Sequence, residues 1–329
     1  MPDRSILLTG ASSGIGFEAA VRLCRAGHRL TLPCRDRPTA EATIRRVTER
    51  AAAGPRPEAP VCDLADLASV ERCAEALLER GVPIDTLGLN AGLQYAGARE
   101  PLRSAQGLEL TFAVNHLAQQ LLARRLVPLL VAGTAPRLVV TTSEVHDPAS
   151  GGGRVGRPAG LGDLAGLAAG PGFAMADGHT PFDAEKAYKD SKLCNLLFSR
   201  EFARRVGGLC PGLAVIAWSP GLVIPRTAGG FFRTSRTHNE LGQRVFALVA
   251  RDLLRLSESV ANAGALLAHL AADPACAGPG FHYFVNRLVR PGRHRFGPAE
   301  PSAEARDGAL ARVLWERSED LLRTCRPPG

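Results

Sequence analysis

Lysine is almost absent from this 329-residue sequence. Of its 40 basic residues only Lys186, Lys189 and Lys192 are lysines, all within seven positions, and every other cation is an arginine. Arginine spreads a permanent charge over a planar fork, so it cannot replace an ammonium that must fit as a compact point charge beside a titrating group. A chain that writes lysine in one window only therefore marks that window for chemistry. Lys192 is the residue singled out below, and Lys186 and Lys189 are expected on a solvated helix face.

Long apolar runs are missing as well. A membrane-spanning helix needs about 18 uninterrupted apolar residues, and the longest central run, 126–133, is far shorter. No apolar leader ending in small residues opens the chain, since Asp3-Arg4 passes straight into Ser5-Ile6-Leu7-Leu8; a cytoplasmic location is expected. The eight cysteines, at 24, 34, 62, 73, 194, 210, 276 and 325, form no CxxC pair and lie at no ligand spacing from histidines. They are expected to be small buried hydrophobes, with no disulfide framework and no metal site. The net charge of +8 is dispersed and not gathered into blocks, which speaks against nucleic acid as a partner. Phe231-Phe232 and a basic surface leave room for peripheral membrane contact, and oligomerisation stays open.

What is present is an alternation of elements. Strand-like runs at 6–9, 29–32, 59–62, 86–89, 137–141 and 214–218 are interleaved with helical patterns, such as 14–26 and 182–205. A βαβ series of this kind predicts an α/β fold: a single doubly wound parallel sheet with helices on both faces. One domain is expected over 1–329. Two stretches interrupt the alternation. Residues 144–181, rich in Gly, Ala and Pro, read as a lid-like insertion before the catalytic helix, and 222–256, with Gly229-Gly230 and Phe231-Phe232, as a substrate-covering segment.

Thr9-Gly10-Ala11-Ser12-Ser13-Gly14-Ile15-Gly16 follows the first strand and opens a helix. In that setting glycines let the backbone turn tightly against a pyrophosphate, whose charge rests on the helix N-terminus. Gly10, Ser12, Ser13, Gly14, Ile15 and Gly16 are thus candidate cofactor contacts. After the second strand stands Cys34-Arg35-Asp36. Arg35 suits the 2′-phosphate of NADPH, while Asp36 as a ribose ligand is the competing reading. Asp63-Leu64 is expected beside the adenine, and Asn90-Ala91-Gly92 beside the cofactor's ribose.

Tyr188 and Lys192 stand four apart in a helical stretch, hence on one face. A phenol beside an ammonium releases its proton more readily, as acid/base work near neutral pH requires. Ser143, after the fifth expected strand, is suited to hydrogen-bond a substrate oxygen, and Asn115, in the helix before it, to hold a relay water.

Taken in order, TGxxxGIG at 9–16, Asn90-Ala91-Gly92, Asn115, Ser143, YxxxK at 188–192 and Pro220-Gly221 resemble the short-chain dehydrogenase/reductase family. The resemblance implies a Rossmann-type NADP-binding domain with Tyr188 as proton donor or acceptor. Lys192 becomes its pKa tuner and ribose ligand, as well as Tyr188's neighbour at the cofactor; Ser143 becomes the substrate-oxygen partner, Asn115 the relay, and Pro220 and Gly221 cofactor contacts. More narrowly, the helix Phe182-Asp183-Ala184-Glu185-Lys186-Ala187-Tyr188-Lys189-Asp190-Ser191-Lys192-Leu193-Cys194-Asn195 resembles that of the light-dependent protochlorophyllide reductases. So do Gly162-Asp163-Leu164-Ala165-Gly166-Leu167 and the terminal Ala311-Arg312-Val313-Leu314-Trp315-Glu316-Arg317-Ser318-Glu319. That likeness implies hydride delivery from NADPH to one carbon of a porphyrin-ring double bond after the pigment absorbs light. The chain departs from it at Gln94, Ser219, Leu222 and Pro225, where the pigment or nicotinamide should rest, with Tyr95 as the expected partial substitute. A bulky apolar substrate is implied. The alternatives are a retinol or carbonyl-type dehydrogenase acting on a lipophilic alcohol or ketone and, against the intact Asn115, Ser143, Tyr188 and Lys192, a non-catalytic NADPH-binding scaffold.

Overall fold

A computed structural model describes residues 3–224, 233–238, 240, 242, 248–276 and 278–325. Seven strands form one sheet: β1 (Ser5–Leu8), β2 (Arg29–Thr31), β3 (Thr86–Leu89), β4 (Arg137–Thr141), β5 (Ala214–Ser219), β6 (Gly280–Arg290) and β7 (Arg293–Pro298). Their order is β2-β1-β3-β4-β5-β6-β7, parallel throughout except for the antiparallel β6/β7 hairpin. Neither hairpin strand was expected from the sequence, and the edge strand breaks the expected all-parallel pairing.

The expected strand at 59–62 is also corrected. Only two isolated bridges remain there, Thr31 to Glu58 and Cys34 to Val61. The reason is local. Glu58 N bonds Leu30 O (2.9 Å) and Cys62 N bonds Cys34 O (2.6 Å), but Pro60 between them has no hydrogen to give, so the ladder is broken.

Strand residues alternate between two apolar layers. Leu7, Leu87, Leu89, Leu138, Val140, Val215 and Ala217 enter one core, and Ile6, Leu8, Val139, Ile216 and Trp218 the other. This two-sided burial is why the strands read as continuous apolar runs. The first layer is covered by α3 (Leu67–Arg80), α4 and α5 (Ala184–Val206), with α7 (Gly308–Thr324) outside. Here α4 comprises Leu110–Phe112, a π-helical turn at Ala113–Leu117, and Ala118–Arg125. The second layer is covered by α1 (Gly14–Arg25), α2 (Arg37–Ala51) and α6 (Val260–Ala272).

The terminal helix is fastened by aromatic and polar contacts. Trp315 stacks on Phe198 of α5 (centroids 5.9 Å apart) under the Arg205 guanidinium, and Ser318 Oγ meets buried His116 Nε2 at 3.2 Å. Arg124 of α4 pairs with Glu319. Residues 144–181, expected as a cover, contribute Leu161, Leu164, Leu167 and Phe173 to the first core. No helix among the described residues is long and apolar enough to cross a membrane.

On the opposite face α1 and α6 pack closely, and a Cβ on Gly264 would stand 2.4 Å from the Glu18 Cβ. We expect Gly264→Val to destabilise the protein by about 1–3 kcal/mol through overpacking. Urea unfolding checks this, and an unchanged midpoint would refute the close crossing.

Candidate active site

The chain runs from β1 outward to β2 and then returns to β3 on the other side of β1, so the C-terminal ends of β1 and β3 form the crevice where such sheets bind ligands. Thr9 closes it. Its hydroxyl accepts from Asn90 N (2.9 Å) and Ala91 N (3.0 Å) and donates to Gln119 Oε1 (3.1 Å). The two loops meet so closely that glycine is obligatory: at Gly10, φ is +71° and a Cβ would lie 2.8 Å from the Ala91 Cα. At Gly16 a Cβ would lie 2.3 Å from Gly10 O.

The start of α1 suits an anionic guest. Its N-cap, Ser13, is extended and makes no side-chain cap, whereas Asp36, Asp66, Asp183, Ser259 and Asp307 cap α2, α3, α5, α6 and α7. The amides of Gly14, Ile15 and Gly16 are thus left as the free donors of a helix N-terminus, and nothing lies within 4 Å of the Gly14 Cβ position. A pyrophosphate fits this cradle. Ser12 contributes its carbonyl to Arg46, whose Nη1 donates at 3.0 Å. Arg46 was missed in the sequence; it lies in the middle of α2, and only the packing of α2 against α1 brings it to the loop.

Arg35 is half-exposed at the β2 end of the crevice, 2.9 Å from Asp36. Asp36 is already committed. It caps α2 by accepting from Thr39 N at 2.7 Å, and the Thr39 and Arg35 hydrogen bonds hold its carboxyl at about 2. Asp63 Oδ1 accepts from Ala65 N (3.0 Å) in a tight turn, and Leu64 leans on the first core.

The candidate catalytic residues converge at the ends of β3, β4 and β5. Asn90 spans the gap, donating from Nδ2 to Thr9 O (3.3 Å) and accepting at Oδ1 from the Thr141 hydroxyl (3.1 Å), which in turn accepts from buried Trp218 Nε1 (3.0 Å). The same Thr141 offers its carbonyl to Lys192 Nζ at 3.1 Å. Thr141 and Trp218 were not singled out in the sequence, where nothing separates them from ordinary strand residues. Gly92 lets the chain pass close by: a Cβ there would be 3.5 Å from Lys192 Nζ and 3.3 Å from Asn115 Oδ1. Asn115 lies fully buried in the π-turn of α4. Its side chain accepts from Leu93 N (2.8 Å) and donates to Leu93 O (2.9 Å) and Ser191 Oγ (3.0 Å), so it clamps the segment after Gly92.

Ser143 hydrogen-bonds the Tyr188 side chain. Lys192 Nζ sits 5.6 Å from the centre of the Tyr188 ring. Burial raises the Tyr188 phenol above its ordinary value, with the Ser143 hydrogen bond opposing it. The lowering expected from the neighbouring ammonium does not dominate: burial is the largest influence, and the phenol stands above its ordinary value. Burial likewise pushes Lys192 down to about 8.

Lys186 and Lys189 are buried, not solvated. Lys186 Nζ contacts Asp190 (2.6 Å), Asp177 (3.1 Å) and Gly160 O (2.7 Å). Lys189 Nζ is ringed by the carbonyls of Gly153, Val155 and Arg157. Both grip the 144–181 segment. The i,i+4 spacing of Lys186 and Asp190 was the signal available for this pairing.

Tyr95 does not replace a substrate-facing tyrosine. Its side chain is fully buried, the hydroxyl donates to Glu109, and the ring stacks on Phe182 at 6.0 Å. Ser219 is buried too and accepts from Glu144 N at 3.0 Å; Gln94 O accepts from Ser235 Oγ at 3.1 Å. Pro220 O accepts from Asn286 Nδ2 (3.2 Å). Gly221 takes φ +77°, and Leu222 O accepts from Glu258 N (2.7 Å). Pro225, Gly229-Gly230 and Phe231-Phe232 lie outside the described residues.

An uncapped phosphate cradle at a topological switch point, beside a Tyr–Lys helix, defines a dinucleotide-dependent oxidoreductase. The short chain dehydrogenase family model matches residues 4–153. Protochlorophyllide reductase A of Oryza sativa subsp. japonica is 35% identical over 327 residues, covering 96% of this chain and 80% of that protein. Protochlorophyllide reductase of Avena sativa is 34% identical over 328 residues, covering 96% and 99%. Among solved structures, an uncharacterised protein from Mycobacterium paratuberculosis superposes with TM-score 0.65 at 25% identity, covering 98% of this chain and 96% of that one. The chain belongs to the short-chain dehydrogenase/reductase family, with protochlorophyllide reductases as relatives over nearly its whole length. It is an NADPH-dependent oxidoreductase.

The Lys192 shift has a signed consequence. Its folded value of about 8 lies below the ordinary lysine value of about 10.4. Between these the unfolded chain binds more protons, so this residue's penalty on folding shrinks as pH rises. Relative to Lys192→Met, the wild type should gain stability from pH 8 to pH 10 in urea unfolding. Parallel pH curves would refute the shift.

Proposed function

We propose that this protein reduces a carbon–carbon double bond in a bulky tetrapyrrole-like pigment, with Tyr188 as the proton donor. The observation that carries this reading is the half-buried Tyr188, with Ser143 hydrogen-bonded to its side chain and Lys192 beside its ring. NADPH, when bound, supplies a hydride to one carbon of the double bond. Tyr188 releases its proton to the other carbon, so that a C=C bond becomes a C–C bond and the phenolate left behind is reprotonated from solvent. A phenol raised by burial holds its proton until the neighbouring carbon becomes basic, which suits the reductive direction.

Lys192 orients the cofactor ribose and stabilises the phenolate; Thr141 holds the ammonium in reach. Arg35, with Arg46 behind the loop, takes the 2′-phosphate, since Asp36 is engaged as a helix cap. Ser12, Ser13, Gly14, Ile15 and Gly16 carry the pyrophosphate. Asp63 and Leu64 border the adenine, while Asn90, Ala91, Gly92, Pro220 and Gly221 border the ribose and nicotinamide. Asn115 keeps the Gly92 to Leu93 segment in register beside Lys192 and holds the relay water.

The pigment reading rests on the relatives' names and on the helix shared with them. Gln94, Ser219 and Leu222 are where this chain's binding surface would differ in detail. Light dependence belongs to the same reading, because the chromophore would be the substrate. Mixing the protein with NADPH and protochlorophyllide and illuminating it should change the pigment's absorption. The same mixture kept dark should not change, and Tyr188→Phe should slow the illuminated reaction at least about 100-fold with NADPH affinity nearly intact. No change in light, with turnover of retinal or an aryl ketone in the dark, would replace the pigment by a lipophilic carbonyl. Arg35→Ala is expected to weaken NADPH by roughly ten- to a hundredfold, the range for losing one charge-assisted contact, and to leave NADH almost unchanged. Equal losses for both cofactors would refute the role of Arg35.

A further inference from the structure

Away from Tyr188, the described residues bring three different metal-ligating side chains together at the end of α6. The donor atoms of His269, Asp273 and Cys276 all lie within 4.8 Å of one another, and His269 Nδ1 is 3.3 Å from Asp273 Oδ2. We propose that this trio is a zinc-class transition-metal site, with three protein ligands and water in the fourth position.

His269 stands in the last turn of α6, Asp273 is its extended C-cap and Cys276 ends the short 3-10 turn Pro274–Cys276, so the three come together where the helix breaks. Zinc bonds of about 2.0–2.1 Å to nitrogen, 2.0–2.2 Å to oxygen and 2.3 Å to sulfur place tetrahedral ligands roughly 3.3–3.7 Å apart. The His269–Asp273 pair already has that separation, and Cys276 needs only a side-chain adjustment.

The remaining atoms are compatible with such a site. Asp273 Oδ1 accepts from Ala275 N at 2.9 Å, which fixes the carboxylate and leaves Oδ2 toward the imidazole. The Cys276 thiol lies 3.5 Å from His269 O, on the same side of the turn. Arg137 faces the cluster: its Nη1 donates to Leu270 O (2.6 Å) and Asp273 O (2.7 Å), and its guanidinium hydrogen-bonds the Cys276 side chain. A carboxylate and a metal-bound thiolate exceed it by one negative charge, so a divalent cation is still attracted. Nitrogen and thiolate donors favour zinc, cobalt or nickel over magnesium and calcium, which take oxygen.

A metal here joins the last turn of α6 to the segment that enters β6, and binding only the folded chain stabilises it by mass action. None of the three residues belongs to the catalytic machinery, so turnover is expected to be unaffected.

Cobalt(II) is the probe. Titrated into chelator-treated, thiol-reduced protein, it should give a one-to-one thiolate-to-cobalt charge-transfer band in the near ultraviolet with tetrahedral d–d bands in the visible, both erased by one equivalent of zinc. Cys276→Ser should lose the charge-transfer band, His269→Ala should weaken cobalt at least tenfold, and zinc should raise the melting temperature of the wild type but not of Cys276→Ser. Absence of the band in wild-type protein, or its persistence in Cys276→Ser, would overturn the site. NADPH binding and turnover, measured on the same samples, report separately on the Tyr188 reading.

Discussion

A buried ammonium has to be surrounded by oxygen, and α5 carries three of them on 23 residues. Each is satisfied differently. Lys186 finds two carboxylates and a carbonyl, Lys189 three carbonyls, and Lys192 the Thr141 carbonyl beneath the Tyr188 ring. Desolvation is costly for each charge unless these oxygens stay in place. The helix therefore holds the 144–181 segment with one pair of cations while presenting the third to the cofactor crevice. Arginine, with five donors in a rigid plane, would not fit the compact oxygen cages around Lys186 and Lys189.

The second constraint is the interlock of strand ends. Thr9, Asn90, Thr141 and Trp218 form one hydrogen-bonded line from β1 through β3 and β4 to β5. That line crosses the sheet at the switch point. It sets the height of the glycine loop, through contacts that exclude any side chain at Gly10 and Gly16, and the height of the Lys192 ammonium, through the Thr141 carbonyl. The glycine loop and the Lys192 ammonium beside Tyr188 are thus positioned by the same few residues.

Where the relatives suggest a pigment site, this chain turns its own polar groups inward. Tyr95 is paired with Glu109 in the core, and Ser219 is spent on the Glu144 amide. Burial is the largest influence on the Tyr188 phenol: it raises the phenol above its ordinary value and holds Lys192 near 8.

Much of this was legible in the chain. The glycine loop after β1, the Tyr188–Lys192 spacing, the limits of α5 and the positions of β1, β2, β3, β4 and β5 follow from patterns local to a few residues: a turn that needs glycine, a helical period, an apolar run. The failures were of two kinds. Pro60 removed a donor that strand propensity does not count, and the β6/β7 hairpin carries too many arginines to read as strand, because it pairs at an edge where one side faces water. Burial of Lys186 and Lys189, the engagement of Asp36 and Tyr95, the approach of Arg46 to Ser12 and the gathering of His269, Asp273 and Cys276 could be seen only in three dimensions. The sequence by itself determined which residue types are available and at what local period. Tertiary structure decided which charges lose their water, and so which of them are acids, clamps or ligands, because solvation is a property of the packed neighbourhood and not of the residue.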